Sequence, residues 1–229
     1  AACGKLFNSL FGVNYTTAMI ISALIIVGYT IMGGFKAVST TDLIQSIVMT
    51  IALVVVVFFG ISKAGGIDAV MDNAKGLAGY LTLTASYDVA SGTANPYSAL
   101  TIISTLAWGL GYFGMPHILL RFMAIEDEKK LVLSRRIATI WVFIAMAIAI
   151  FIGVVGLGMT KAGALDFLEG SSSETIIVKI AGLLSQHGIF PAIVAGLILA
   201  GILAATMSTA DSQMLAAASS VSQNIVQDF

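Results

Sequence analysis

The sequence predicts an all-α polytopic membrane protein with about five transmembrane helices, one of them discontinuous. Of its 229 residues, 58% are hydrophobic and 10% are charged, against about 25% charged in a soluble domain. The charges gather between apolar runs, several of them long enough for a bilayer, which takes about 20 residues to cross. One such run, WGLGYFGMPHILLRFM (Trp108–Met123), carries Gly109, Gly111, Gly114 and Pro116 in its middle.

Taken in order, the expected spans are 16–35, 43–61, 97–122, 137–159 and 189–221, preceded by the tail of an earlier helix and a short turn over 1–14. The chain opens AACGKLF, with no initiator Met and no signal-peptide pattern, and stops at IVQDF just after an apolar helix. It is therefore expected to be an internal piece of a longer protein, a fragment of a single transmembrane domain over 1–229. The one cysteine, Cys3, excludes an internal disulfide and a thiol metal cluster. The net charge of −1 gives no sign of nucleic acid, and no nucleic-acid partner is expected.

Arg121, Lys129, Lys130, Arg135 and Arg136 crowd between the third and fourth spans, while the connectors 62–96 and 160–188 hold two lysines each. The positive-inside bias places 121–136 in the cytoplasm and both longer connectors outside. Alternation then puts Gly33–Asp42 and the end at Asp228 inside, and Lys36 agrees. The connector 66–96 is long, and a short helix near Ile67–Gly79 is plausible within it.

The breakers in the third span need an account. Glycine and proline weaken a helix, and Pro116 lacks a backbone donor. In hydrocarbon each unpaired polar group costs several kcal/mol, so a break persists where protein, water, an ion or a substrate satisfies it. The pattern predicts an outer half-helix ending near Trp108–Gly111 and an inner one starting near Pro116, since proline suits a first turn. The inner half would aim a partly positive N-terminus at mid-membrane, suited to a carboxylate. Trp108, Tyr112 and Pro116 are spaced four apart and share a face if the turn stays roughly helical. Such a face fits a small zwitterion with an apolar side. The plainer alternative is a proline kink in a packing helix. Arg121 reads as a positive-inside anchor, and His117 as a hydrogen-bonded packing histidine or a proton relay.

The last span carries GILAATMSTADSQMLAAASS (Gly201–Ser220). Gly201, Ala205, Ser208, Ser212 and Ala216 form a small-residue face for close helix approach. Ser208 and Thr209 offer hard oxygen ligands suited to a cation such as sodium. The alternative is plain packing, with hydroxyls bonded to their own helix carbonyls. Asp211 is a costly carboxylate inside a span, so it reads as functional, as a structural ion pair or as a helix contact. Asp42 opens the second span, shares a face with Gln45 and Ser46, and reads as an acid favoured at a helix N-terminus.

Together, GGFKAVSTTDLIQ (Gly33–Gln45), WGLGYFGMPHILLRFMA (Trp108–Ala124) and ILAATMSTADSQML (Ile202–Leu215) resemble the sodium/solute symporter family, and within it the members that carry proline. The resemblance runs along nearly the whole chain. It implies a partial LeuT-type fold with inverted five-helix repeats, of which this chain holds the last two helices of the first and the first three of the second. It implies sodium-coupled symport of L-proline across a bacterial inner membrane, with Trp108, Tyr112 and Pro116 at the substrate. Ala205, Ser208 and Thr209 would bind the main sodium ion. Asp42 matches an acidic position linked in some relatives to a second sodium. The expected partners are L-proline, Na⁺, the lipid bilayer and the remaining helices of the full-length transporter. Rival expectations are symport of pantothenate, a monocarboxylate or a sugar, or the symporter-like membrane sensor of a histidine kinase. No nucleophile–base arrangement or metal constellation points to an enzyme.

Overall fold

The computed structural model describes residues 2–112 and 114–227. Phe113 of the third span and the expected inner end at Asp228 lie outside the described residues. Among the described residues the protein is an all-α membrane protein apart from one small hairpin, with four helical stretches, the broken third span counted as one, long and apolar enough to span a bilayer.

Helix α1 (Ala2–Phe11) ends at Gly12, and Asn14 caps the next helix by accepting from the amides of Thr16 and Thr17. That helix, α2 (Tyr15–Lys63), replaces the two spans and inner loop expected over 16–61. Its only non-helical backbone is at Gly34, with φ 57° and ψ −167°, a left-handed conformation open to glycine. The run has 49 residues, about 74 Å if straight, more than twice the hydrocarbon thickness of ~30 Å. The boundary between arms 15–33 and 35–63 is thus one residue rather than a loop. The polar stretch after it stays helical because its hydroxyls bond within the helix: Thr40 Oγ1 donates to Lys36 O and Thr41 Oγ1 to Val38 O. Asp42 consequently sits inside the second arm, about two turns beyond its start, and the expectation that it opens a helix is corrected.

The connector after α2 contains α3 (Ile67–Lys75), as expected, and a hairpin that was not, β1 (Ala85–Asp88) with β2 (Thr93–Pro96). At its turn the Asp88 carboxylate accepts from the Ser91 hydroxyl and the Ala90 amide, which hold it below the usual carboxylate range. Next come α4 (Ala99–Tyr112) and α5 (Pro116–Met123), the two halves of the broken span. Helix α6 (Glu128–Lys161) starts well before the expected 137, capped by Asp127, which accepts from the amide of Lys129. Four of the five expected loop cations, Lys129, Lys130, Arg135 and Arg136, therefore ride on a helix. The connector after α6 holds a 3₁₀ turn (Gly170–Thr175) and α7 (Ile176–Ser185). Helix α8 (Ile189–Val221) matches the last expected span and passes into a π turn over Ser222–Gln227.

The packed core lies among the second arm of α2, α3, α6, α7 and the start of α8, around Val56, Val70, Ile152, Val155, Ile180 and Ile198. Glycines set the closest approaches. A Cβ at Gly60 would fall 2.5 Å from Val155, and one at Gly201 would fall 3.1 Å from Ala52. Helix α8 thereby lies directly on the second arm of α2, as its small residues suggested. Ile20, Leu24, Ile31, Leu100, Leu106 and Phe143 stand exposed, the apolar surface a bilayer would cover.

The topology has a direct check. In full-length protein with Cys3 replaced, Ser91→Cys is expected to react with an impermeant thiol reagent in intact cells. Ser134→Cys, beside the cations of α6, should react only after permeabilisation. Labelling of position 134 but not 91 would invert the orientation.

Candidate functional site

Three polar places survive in the apolar framework. The first is the break between α4 and α5. Gly114 N–H donates to Gly111 O and Met115 N–H to Tyr112 O, two tight turns that close α4. Met115 is then extended (φ −66°, ψ 121°), and α5 begins at Pro116 with no side-chain cap. The helix therefore ends and restarts, close to the expected positions. Trp108 and Tyr112 lie one turn apart on α4, ring centroids 6.4 Å from each other, and both are largely exposed. Pro116 does not continue their face. The shared face required a turn that stayed helical, and the extended Met115 changes the register. Pro116 instead lines a groove with Leu119, Leu120 and Met123 against Ala216 and Ser220 of α8. His117 lies over a narrow gap with Phe35, Val38 and Leu215, the placement of a packing histidine.

The second place is on α8. Ser208 Oγ donates to Ala205 O at 3.1 Å, and Thr209 Oγ1 donates to the same carbonyl at 3.2 Å. Three oxygens thus gather at one point of the helix surface. Ala205 and Ser208 are half-buried and Thr209 is exposed. The hydroxyl bonds are internal to the helix, as plain packing also allows. Their convergence on one carbonyl is the feature that suits a hard cation, which oxygen donors coordinate.

The third place joins elements far apart in sequence. Arg121 turns inward from α5 to form an ion pair with Asp42, and it also donates to Ser212 Oγ on α8. Sequence reasoning took Arg121 for an anchor and missed this. The Asp42 side chain is 9% exposed and that of Arg121 is 42% exposed. The second Asp42 oxygen, Oδ1, and Gln45 Oε1 are buried with no hydrogen-bond donor among the described residues. Two free acceptors one turn apart are compatible with a cation at Asp42. Asp211 accepts from Tyr29 Oη of the first arm at 3.0 Å and lies 3.3 Å from Ser212 Oγ. Tyr29 went unremarked in the sequence; its only signal was a phenol in an apolar arm. Between the second arm and α6 an open cleft of about 910 Å³ is lined by Asp42, Ser46, Arg121, Lys130 and Trp141. Trp141 Nε1 closes one wall by donating to Thr50 Oγ1 at 3.0 Å.

The family model described as sodium:solute symporter family matches residues 1–229. The chain is 34% identical over 226 residues to the osmoregulated proline transporter OpuE of Bacillus subtilis, covering 99% of this chain and 42% of that protein. It is 36% identical over 221 residues to sodium/proline symporter 2 of Staphylococcus saprophyticus, covering 96% and 40%. It is 35% identical over 226 residues to the high-affinity proline transporter PutP of Bacillus subtilis, covering 99% and 44%. The chain thus spans about two fifths of the length of these relatives, which are transporters rather than enzymes. No solved structure matches.

Proposed function

Because the chain belongs to the sodium:solute symporter family, we propose that it forms part of a transporter coupling sodium to the uptake of L-proline across a bacterial cytoplasmic membrane. The observation that carries the proposal is the break itself: an aromatic pair, Trp108 and Tyr112, stands directly before an uncapped helix N-terminus at Pro116. The free amides and dipole of α5 would meet the carboxylate of proline. The aromatic rings would meet its apolar ring, and a pyrrolidine offers them a compact face. Pro116 would act by starting the half-helix rather than by sharing the aromatic face. The names of the proline-transporting relatives support this solute over pantothenate, monocarboxylates, sugars or a kinase-linked sensor.

In this proposal the two arms of α2 are separate crossings, so that five crossings are reached with α4–α5, α6 and α8. They would occupy the junction between two LeuT-type inverted repeats, within one membrane domain completed by the remaining helices. Sodium would bind at Ala205, Ser208 and Thr209, with Asp42 available to a second ion. An ion shared between α8 and a helix of the remaining protein would tie the two together. Its binding would thereby reshape the adjoining proline site, and the coupling would be reciprocal.

The test is proline binding by the full-length protein. Trp108→Ala and Tyr112→Ala are each expected to weaken it about tenfold or more, the worth of losing about 1.4 kcal/mol, with the amount of protein in the membrane preserved because both side chains are exposed here. If both variants bind proline like the parent, the substrate lies elsewhere.

A further inference from the structure

Asp211 is buried completely, with 0% of its surface exposed, and among the described residues no cation forms an ion pair with it. A buried carboxylate without a cation is costly and is retained for a reason. Its partners indicate the reason. Tyr29 Oη reaches it from the first arm of α2 at 3.0 Å. Ser212 Oγ lies 3.3 Å from it, 2.7 Å from the carbonyl of Ser208, and accepts from Arg121. Arg121 in turn holds Asp42 on the second arm. One short polar chain therefore joins both arms of α2, α5 and α8, and it touches Ser208.

Helix geometry says what this chain fixes. At about 100° per residue, Asp211 lies roughly 160° around α8 from Thr209, and Ser212 lies about 40° from Ser208. The burial agrees, since Asp211 is enclosed and Thr209 is exposed. Thus Asp211 faces the first arm of α2 about 60° around α8 from Ser208, while Ser212 shares the face of Ser208 and meets Arg121. A rotation of α8 that parts Asp211 from Tyr29 must also carry Ser208 and Thr209, because the two groups are within one turn of a continuous helix.

We propose that Asp211 is a positioning residue for the ion site, its hydrogen bond from Tyr29 setting the rotation of α8 at which Ala205, Ser208 and Thr209 face the cation. This rests on the sodium role given above to those three residues. The carboxylate acts as an acceptor of fixed geometry, so an amide in its place retains the function, whereas loss of either partner of the bond does not.

The experiment measures sodium dependence of proline uptake in the full-length transporter, with membrane abundance determined in parallel. Tyr29→Phe removes only the hydroxyl, and Asp211→Ala removes the acceptor. Each is expected to raise half-saturating sodium about tenfold, as loss of a ligand-orienting partner does, while maximal uptake per transporter at saturating sodium stays within about twofold of the parent. The double variant should be no worse than the worse single, because both remove the same bond. Asp211→Asn, which still accepts from Tyr29, should remain near the parent. Unchanged sodium dependence in Tyr29→Phe, additive effects in the double variant, or Asp211→Asn as impaired as Asp211→Ala would each overturn the proposal. Ser208→Ala measured alongside separates the two levels. If it leaves half-saturating sodium unchanged, the ion site itself is misplaced and the positioning role falls with it. If it raises the value while Tyr29→Phe does not, only the positioning role fails.

Discussion

Ser208→Ala and Thr209→Ala, each made in the full-length transporter, are expected to raise half-saturating sodium roughly 10- to 100-fold, the equivalent of losing one charge-assisted contact of about 1.5–3 kcal/mol. The two hydroxyls converge on Ala205 O at 3.1 and 3.2 Å, so each variant removes one oxygen from the same cluster. The helix itself should be little disturbed. Alanine has the higher helix propensity, and the lost hydroxyl bond is internal to one turn. Proline affinity should fall chiefly at low sodium and recover as sodium is raised, because the coupling between two ligands is reciprocal. Titrating proline binding at several sodium concentrations reads both quantities. An equal loss of proline binding at every sodium level, with sodium affinity unchanged, would remove these hydroxyls from the ion site.

How far the sequence could anticipate this depends on the range of the interaction. The break at Tyr112–Pro116 was legible because glycine and proline act on their own backbone, and the Trp108–Tyr112 pair followed from the four-residue spacing. Pro116 escaped the same logic, since the extended Met115 breaks the register on which spacing arguments rest. Between the arms of α2, polarity suggested a loop where one left-handed glycine makes the turn. Thr40 and Thr41 satisfy their hydroxyls on the helix and leave the backbone undisturbed. The early start of α6 has a related cause. Glu128, Lys129, Lys130 and Leu131 are good helix formers whatever their hydropathy. The partners of Asp211 and Arg121 were invisible for another reason. Tyr29 and Asp211 are 182 residues apart, and Asp42 and Arg121 are 79 apart, so only tertiary packing brings them together.

The pair of Arg121 and Asp42 should show a large stability effect. Asp42 is 9% exposed and already has one oxygen without a donor among the described residues. Arg121→Ala would leave the whole carboxylate uncompensated and take a contact from Ser212 as well. Removing one partner of a fully buried pair costs about 3–5 kcal/mol, while exposed pairs are worth at most about 1 kcal/mol. Arg121 is 42% exposed, so a loss of about 2–3 kcal/mol lies between these limits, a large part of the 5–15 kcal/mol of a typical folded protein. Arg121→Ala should therefore lower both the Tm of purified full-length protein and its abundance in the membrane. Asp42→Asn added to Arg121→Ala removes the stranded charge and should recover most of that loss. The recovery separates the pair from an anchoring role for Arg121: an arginine that merely held the cytoplasmic surface would be missed equally with or without the acid at position 42. Equal Tm values for the single and double variants would show that the two side chains do not stabilise each other.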